Sequence, residues 1–194
     1  GTEDVGGILG QGEFDTFARC VNKGTVTCTG NRIGGICGYI QSSVISECVN
    51  YGDVTGQNYS GGIGGLGSVF VSCINHGNIQ GVNYVGGISG TSSYYSNYYS
   101  SDCTNYGAVT GKTTVGGTFG KLGSAVELLR NYGNVEGVSN VGGISGIYTQ
   151  TNKSITQCIN EANITGTNNI GGIVGYFDVS GVKYTLTLSN NNTS

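Results

Sequence analysis

Between Cys73 and Gly90 the chain reads CINHGNIQGVNYVGGISG, and versions of this stretch recur from near the N-terminus almost to the C-terminus. In chain order the Gly-Gly pairs fall at Gly6-Gly7, Gly34-Gly35, Gly61-Gly62, Gly86-Gly87, Gly116-Gly117, Gly142-Gly143 and Gly171-Gly172, at spacings of 28, 27, 25, 30, 26 and 29 residues. A period in the twenties marks a solenoid, in which each repeat forms one coil and is stable only against its neighbours.

The distance from the Cys position to the Gly-Gly pair is more regular than the period itself. It is 13 residues from Cys48 to Gly61, Cys73 to Gly86, Cys103 to Gly116, Leu129 to Gly142 and Cys158 to Gly171, and 14 from Cys20 to Gly34, where one residue is inserted near Cys28. Stacked coils need equal residue counts wherever they hydrogen-bond, whereas a loop leaving the stack changes length freely. The 13-residue block therefore reads as scaffold. The segment after each GGIxG, such as residues 65–73 or 90–103, reads as a variable arc.

Within the block, apolar residues arrive singly, separated by one polar residue or by glycine, which suits short half-buried strands. Glycine makes up 38 of 194 residues, and each would cost about 1 kcal/mol relative to alanine in a helix interior. The expected fold is all-β, a parallel β-solenoid or β-helix of about seven coils with a period of about 27 residues, over residues 1–175. The glycine pairs serve a positive φ or a close backbone approach at a corner. Residues 176–194 leave the repeat; Val182, Tyr184, Leu186 and Leu188 alternate as one strand face, expected to cap the last coil or to join another subunit.

Two rows are assigned to the scaffold. Asn22, Asn50, Asn75, Asn105, Asn131 and Asn160 each stand two residues after the Cys position, where stacked amides bond along the axis and satisfy turn backbone groups. Cys20, Cys48, Cys73, Cys103 and Cys158 share one slot that Leu129 also fills, so they read as small buried apolar residues. Cys28 and Cys37 fall outside that row and are the better candidates for a disulfide. No metal or other cofactor is expected, because the one histidine, His76, stands apart from any cluster with metal-ligand spacing.

The repeated VGGISG and IGGIVG cores, preceded by NYGDVTG, NHGNIQG, NYGNVEG and NEANITG, resemble the GLUG-motif repeats of bacterial surface and secreted proteins. These include the non-catalytic repeats beside some immunoglobulin A-cleaving metallopeptidases. The resemblance spans nearly the whole chain and implies an extracellular or cell-surface module for adhesion or display. Departures are Thr118 after Gly116-Gly117, Leu129 at the Cys slot and Ala162 in place of glycine.

Binding residues are sought where side chains leave the scaffold. The residue after each aligned Asn points outward if the Asn points inward, which places Tyr51, His76, Tyr106 and Tyr132 in one stripe between Lys23 and Glu161. The longest arc carries Tyr94, Tyr95, Tyr98 and Tyr99 among serines, a composition that supplies large contact area at low entropic cost. Either group would serve a glycan or a host or cell-surface protein. Self-association end to end into a filament is the second expectation.

Eight Lys and Arg, spread singly against eleven Asp and Glu, form no basic patch, so nucleic acid is not an expected partner. No apolar run reaches the ~20 residues of a membrane-spanning helix. A polysaccharide-active β-helix enzyme would need paired carboxylates. Glu13 and Asp15 beside Arg19 form the only local cluster, and the HEXXH motif is absent, so the chain is expected not to be an enzyme.

Overall fold

The structure, a computed structural model, describes residues 1–13, 16–67, 69–92, 99–150, 153–178, 185–187 and 190–191. It is an all-β parallel β-solenoid with no helix among these residues. Each coil crosses five sheets. In one central coil the strands are Asn58–Gly61, Gly64–Gly67, Val69–Val71, Ile74–Asn75 and Ile79–Gln80, in the first to fifth sheets respectively. Four sheets have seven strands and the fifth has six. Every pairing is parallel, and the first glycines of the pairs lie opposite one another from Gly6 through Gly34, Gly61, Gly86, Gly116 and Gly142 to Gly171.

The glycine pairs mark the corner between the first and second sheets, and close approach is what requires them. None of these glycines adopts the left-handed region. A Cβ on Gly86 would fall 2.2 Å from the carbonyl oxygen of Ser89, and one on Gly87 would fall 2.2 Å from Cγ of Asn105 and 2.3 Å from the carbonyl oxygen of Gly117. Left-handed backbone sits instead on residues with side chains. One row is the second residue of each first-sheet strand, including Arg32, Tyr59, Tyr84 and Thr114; another precedes the Cys slot, including Glu47, Ser72, Asp102 and Leu128, all at φ between 52 and 58° except Tyr59 at 51°. Such residues cost about 1 kcal/mol each, and the pairing on both sides holds them at the same two corners of successive coils.

The asparagine row runs through the interior as one hydrogen-bonded ladder. Nδ2 of Asn22, Asn50, Asn75, Asn105 and Asn131 each donates at 2.8 Å to Oδ1 of the next Asn, ending on Asn160. The same Nδ2 donates at 2.7–2.9 Å to the carbonyl two residues on, at Gly24, Gly52, Gly77, Gly107 and Gly133. Both N–H groups of each amide are thereby satisfied without water, as full burial demands. The ladder starts on the fourth sheet and abuts the second glycine of each pair across the interior. It divides the apolar core into two clusters: Ile36, Cys37, Ile63, Phe70, Ile88, Phe119 and their neighbours on one side, Val26, Ile33, Val54, Val85, Val115 and theirs on the other.

All seven cysteines are free; Cys28, Cys37, Cys48, Cys73, Cys103 and Cys158 are buried and Cys20 is half-buried. Cys28 and Cys37, the better candidates for a disulfide, are not paired, because Cys28 packs with Val26 and Val54 on one side of the ladder and Cys37 with Ile36 and Cys48 on the other. Burial pushes the Cys37 thiol up; contact with Cys73 and burial do the same for Cys48, contact with Cys103 for Cys73, and burial raises Cys158 to about 11. Burial also keeps reagents from the thiols, so alkylation of the native protein at neutral pH is expected to stay confined to half-buried Cys20, with the other six, all buried, reacting only in denaturant. Between about pH 9 and 11 the unfolded chain releases protons that the folded chain retains at Cys158 and its like. The denaturation midpoint is therefore expected to hold steady up to about pH 8 and to fall above about pH 9.

The variable segment is more ordered than its lengths suggest. It contributes the whole second and third sheets, in register from coil to coil, for example Gly64 opposite Ser89 and Val69 opposite Val44. Length variation is largest between the strands of these two sheets, which are separated by residues 42–43 in one coil and by 93–99 in another; one further residue is inserted between the fifth and first sheets, where 28–30 separate Val26–Thr27 from Asn31–Gly34 and only 56–57 separate the corresponding strands of the next coil. The C-terminal segment also continues the stack. Thr185–Thr187 pairs with Ser154–Thr156 in the third sheet and Asn190–Asn191 with Ile159–Asn160 in the fourth, both parallel.

Candidate functional site

The fourth sheet places Asn inward, and so turns the residue on each side of it outward. Tyr51, His76, Tyr106 and Tyr132 are held there by backbone bonds of 2.8 Å from their own N–H to the carbonyl of the preceding coil's Asn, from Asn22 to Asn105. Their rings stack along the axis with centroids 4.9, 5.0 and 5.2 Å apart and planes within 3, 5 and 14° of parallel. Tyr51, Tyr106 and Tyr132 are 50, 49 and 38% exposed, and His76 is exposed as well. Four of the eight candidate binding residues thus form one surface ladder. Both faces of His76 and of Tyr106 meet neighbouring rings, so the ladder offers solvent ring edges, phenol hydroxyls and an imidazole rather than an open stacking platform.

A polar strip borders these rings. Two residues beyond them stand Asp53, Asn78, Ala108, Asn134 and Asn163, all exposed. Oδ1 of Asp53, Asn78 and Asn134 accepts the backbone N–H of the next coil's residue, Asn78, Ala108 and Asn163, at 2.8, 3.0 and 3.3 Å. The outward residues of the fifth sheet follow: Thr55, Gln80, Thr110, Glu136 and Thr165. Between Asp53 and Glu136 the strip carries no formal charge.

The tyrosines of the long arc belong to a different corner. Tyr94, Tyr95 and Tyr98 lie outside the described residues. Tyr99 is exposed and, with Ala125, Val126, Glu127, Ser154 and Thr156, lines a cavity of about 280 Å³ where three successive coils meet below the variable corner. Glu127 is the one carboxylate in that lining. Beyond it, Arg130 holds Asp102 of the preceding coil at 2.9 Å, and Ser72 donates to the other oxygen of that carboxylate at 3.2 Å. The third and fourth sheets separate the Tyr99 cavity from the ring ladder, so the two candidate groups are separate surfaces. Of the Glu13, Asp15 and Arg19 cluster, Asp15 is outside the described residues. No group of three or more His, Cys, Asp or Glu is placed to hold a metal ion among the described residues.

Two rows on the first sheet were not anticipated. Asn58 donates to Asn31 at 2.6 Å and Asn83 to Asn58 at 2.7 Å, with the Thr113 hydroxyl donating to Asn83 beyond them. This half-exposed ladder donates toward the N-terminus from one Asn to the next, opposite to the buried one. Next to it Tyr59 and Tyr84 stack at 5.0 Å, 7° from parallel. The signal was the residue three before a glycine pair, Asn at Asn31, Asn58, Asn83 and Asn168, a weaker one than the interior Asn because Glu3, Thr113 and Ser139 stand there in other coils.

Neither a protein-family model nor a curated protein matches the chain. It superposes on a crystal structure of a candidate immunoglobulin A1 protease from Bacteroides ovatus with a TM-score of 0.58 and 17% identity, over 93% of this chain and 68% of that one. At that identity the likeness is one of fold.

Proposed function

We propose that this chain is a non-catalytic module of GLUG-type repeats, placed outside the cell or on its surface, that binds a glycan or protein for adhesion. The observation that carries this reading is the exposed ladder of Tyr51, His76, Tyr106 and Tyr132. Buried side chains already fill both core clusters, so these rings are surplus to the core, and large aromatic surface held rigidly in solvent is what recognition uses. The single carboxylate in the Tyr99 cavity supports binding over glycoside hydrolysis, which needs two.

The test replaces Tyr51, His76, Tyr106 and Tyr132 together by serine and measures binding to glycan arrays and to host cells. Loss of binding is expected, with unchanged far-UV circular dichroism and a stability loss of about 1 kcal/mol per ring pair. Retained binding would move the site to the Tyr99 corner, where Tyr99→Ser tests it. End-to-end assembly is the second reading, since parallel strands stacked in register can pair with those of another copy in the same way. Light scattering that grows with protein concentration would support it.

A further inference from the structure

The ladder repeats with the coil, so its ligand-facing groups form a ruler. Ring centroids advance by 4.9–5.2 Å per coil. Each rung adds a phenol hydroxyl or imidazole and, beside it, a polar side chain of the bordering strip at all rungs but that of Ala108. Asn78 and Asn134 use Oδ1 on the next coil's backbone, and their Nδ2 donates to no other described residue. The central rungs, from His76, Asn78 and Gln80 to Tyr106, Ala108 and Thr110, carry no formal charge.

A ligand that engages every rung must repeat at this spacing, carry hydroxyls on each unit and be neutral. An extended polypeptide advances only about 3.3 Å per residue and falls out of step within two rungs. A polyanion would find no cation to pair with along the central rungs. An extended β-1,4-linked polysaccharide meets all three conditions, since each of its sugars advances by close to one coil spacing. We propose that a neutral β-1,4-linked glycan chain lies along this strip parallel to the solenoid axis, one sugar per coil. It is held by the hydroxyls of Tyr51, Tyr106 and Tyr132, the imidazole of His76 and the amides of Asn78 and Asn134. This rests on the ladder being the binding surface and adds the ligand's class and direction.

Chain-length dependence tests the register. Titration calorimetry with β-1,4-linked gluco-, manno- and N-acetylglucosamine oligosaccharides of two to six sugars is run beside an α-1,4-linked glucose hexamer, whose coiled chain is out of step. For at least one β-1,4 series, affinity is expected to rise steeply up to four sugars, the number of rings, and to level off beyond. The α-linked hexamer is expected not to bind. Tyr106→Phe, which keeps the ring stack and removes one hydroxyl, is expected to weaken the tetramer about three- to tenfold. No binding by any β-1,4 series, affinity independent of length, or equal binding of the α-linked hexamer would overturn the proposal. If the oligosaccharides fail while the fourfold serine variant still abolishes binding to host cells, the register proposal falls and the ladder stands as the adhesive surface; if that variant changes nothing, both the register and the ladder as binding surface fall, and the adhesive site moves to the Tyr99 corner.

Discussion

Gly87→Ala is expected to lower the stability of the solenoid by about 3 kcal/mol or more, seen as an early midpoint in chemical denaturation. The added Cβ would meet Cγ of Asn105 at 2.2 Å and the carbonyl oxygen of Gly117 at 2.3 Å. Neither can retreat: the amide is bonded on both sides within the ladder, and the carbonyl belongs to the next coil's backbone. Two other glycines calibrate the effect. At Gly111 the nearest atoms are methyls of Val115 and Val85 at 2.8 and 2.9 Å, flexible ends that can shift, so Gly111→Ala should cost distinctly less. At Gly24 the nearest atom is 3.8 Å away, and Gly24→Ala should leave the midpoint unchanged or raise it slightly. Equal losses at all three positions would show that close approach is not what glycine serves here.

Asn105→Ala is expected to cost about 4 kcal/mol in the same measurement. The change strands three fully buried groups: an N–H of Asn75, Oδ1 of Asn131 and the carbonyl of Gly107. Each unsatisfied group costs about 1–3 kcal/mol. Asn22→Ala, at the start of the ladder, strands Oδ1 of Asn50 and the carbonyl and N–H of Gly24, but Gly24 is exposed and water can replace its partner, so it should cost about half as much. Since Asn105 and Gly87 touch, the two substitutions should not add. In the double variant the lost amide removes one clash while the carbonyl of Gly117 keeps the other, so the combined loss should fall short of the sum.

Pairing between coils explains why so much of the fold could be read from residue spacing. The nearly constant interval between the Cys slot and the next glycine pair carries the chain through the fourth, fifth and first sheets, where each coil lies residue for residue opposite its neighbours, as Asn75 opposite Asn105, Ile79 opposite Val109 and Gly86 opposite Gly116. Every residue in the interval is fixed by the stack, so it leaves a periodic trace. The second and third sheets leave a fainter one. Their strands are as well paired as the others, yet the corner between them changes length from coil to coil, which hides the register of Val69 against Val44 or Ser89 against Gly64. The left-handed residues left no trace at all, because stacking imposes that backbone on Tyr59, Thr114, Glu47 and Leu128 alike, with no shared side-chain chemistry. For the candidate site, the outward stripe was legible from the alternation around Asn, including its four rings. That the rings would stack on one another required three dimensions. The Cys28–Cys37 pairing failed for a related reason: nearness in the chain carried no information about a polar wall between them.

The concentration of length change at one corner has an evolutionary consequence. Lengthening a loop costs little, about 0.6 kcal/mol for each doubling, whereas a residue gained or lost within a paired strand would turn every side chain beyond it to the other face. Insertions and deletions can therefore accumulate between the second and third sheets of any coil, one coil independently of the next. The solenoid can diversify along one edge, beside Tyr99, while the ring-bearing edge stays metrically constant; a lineage of such proteins would vary in one surface and conserve a ruler in the other.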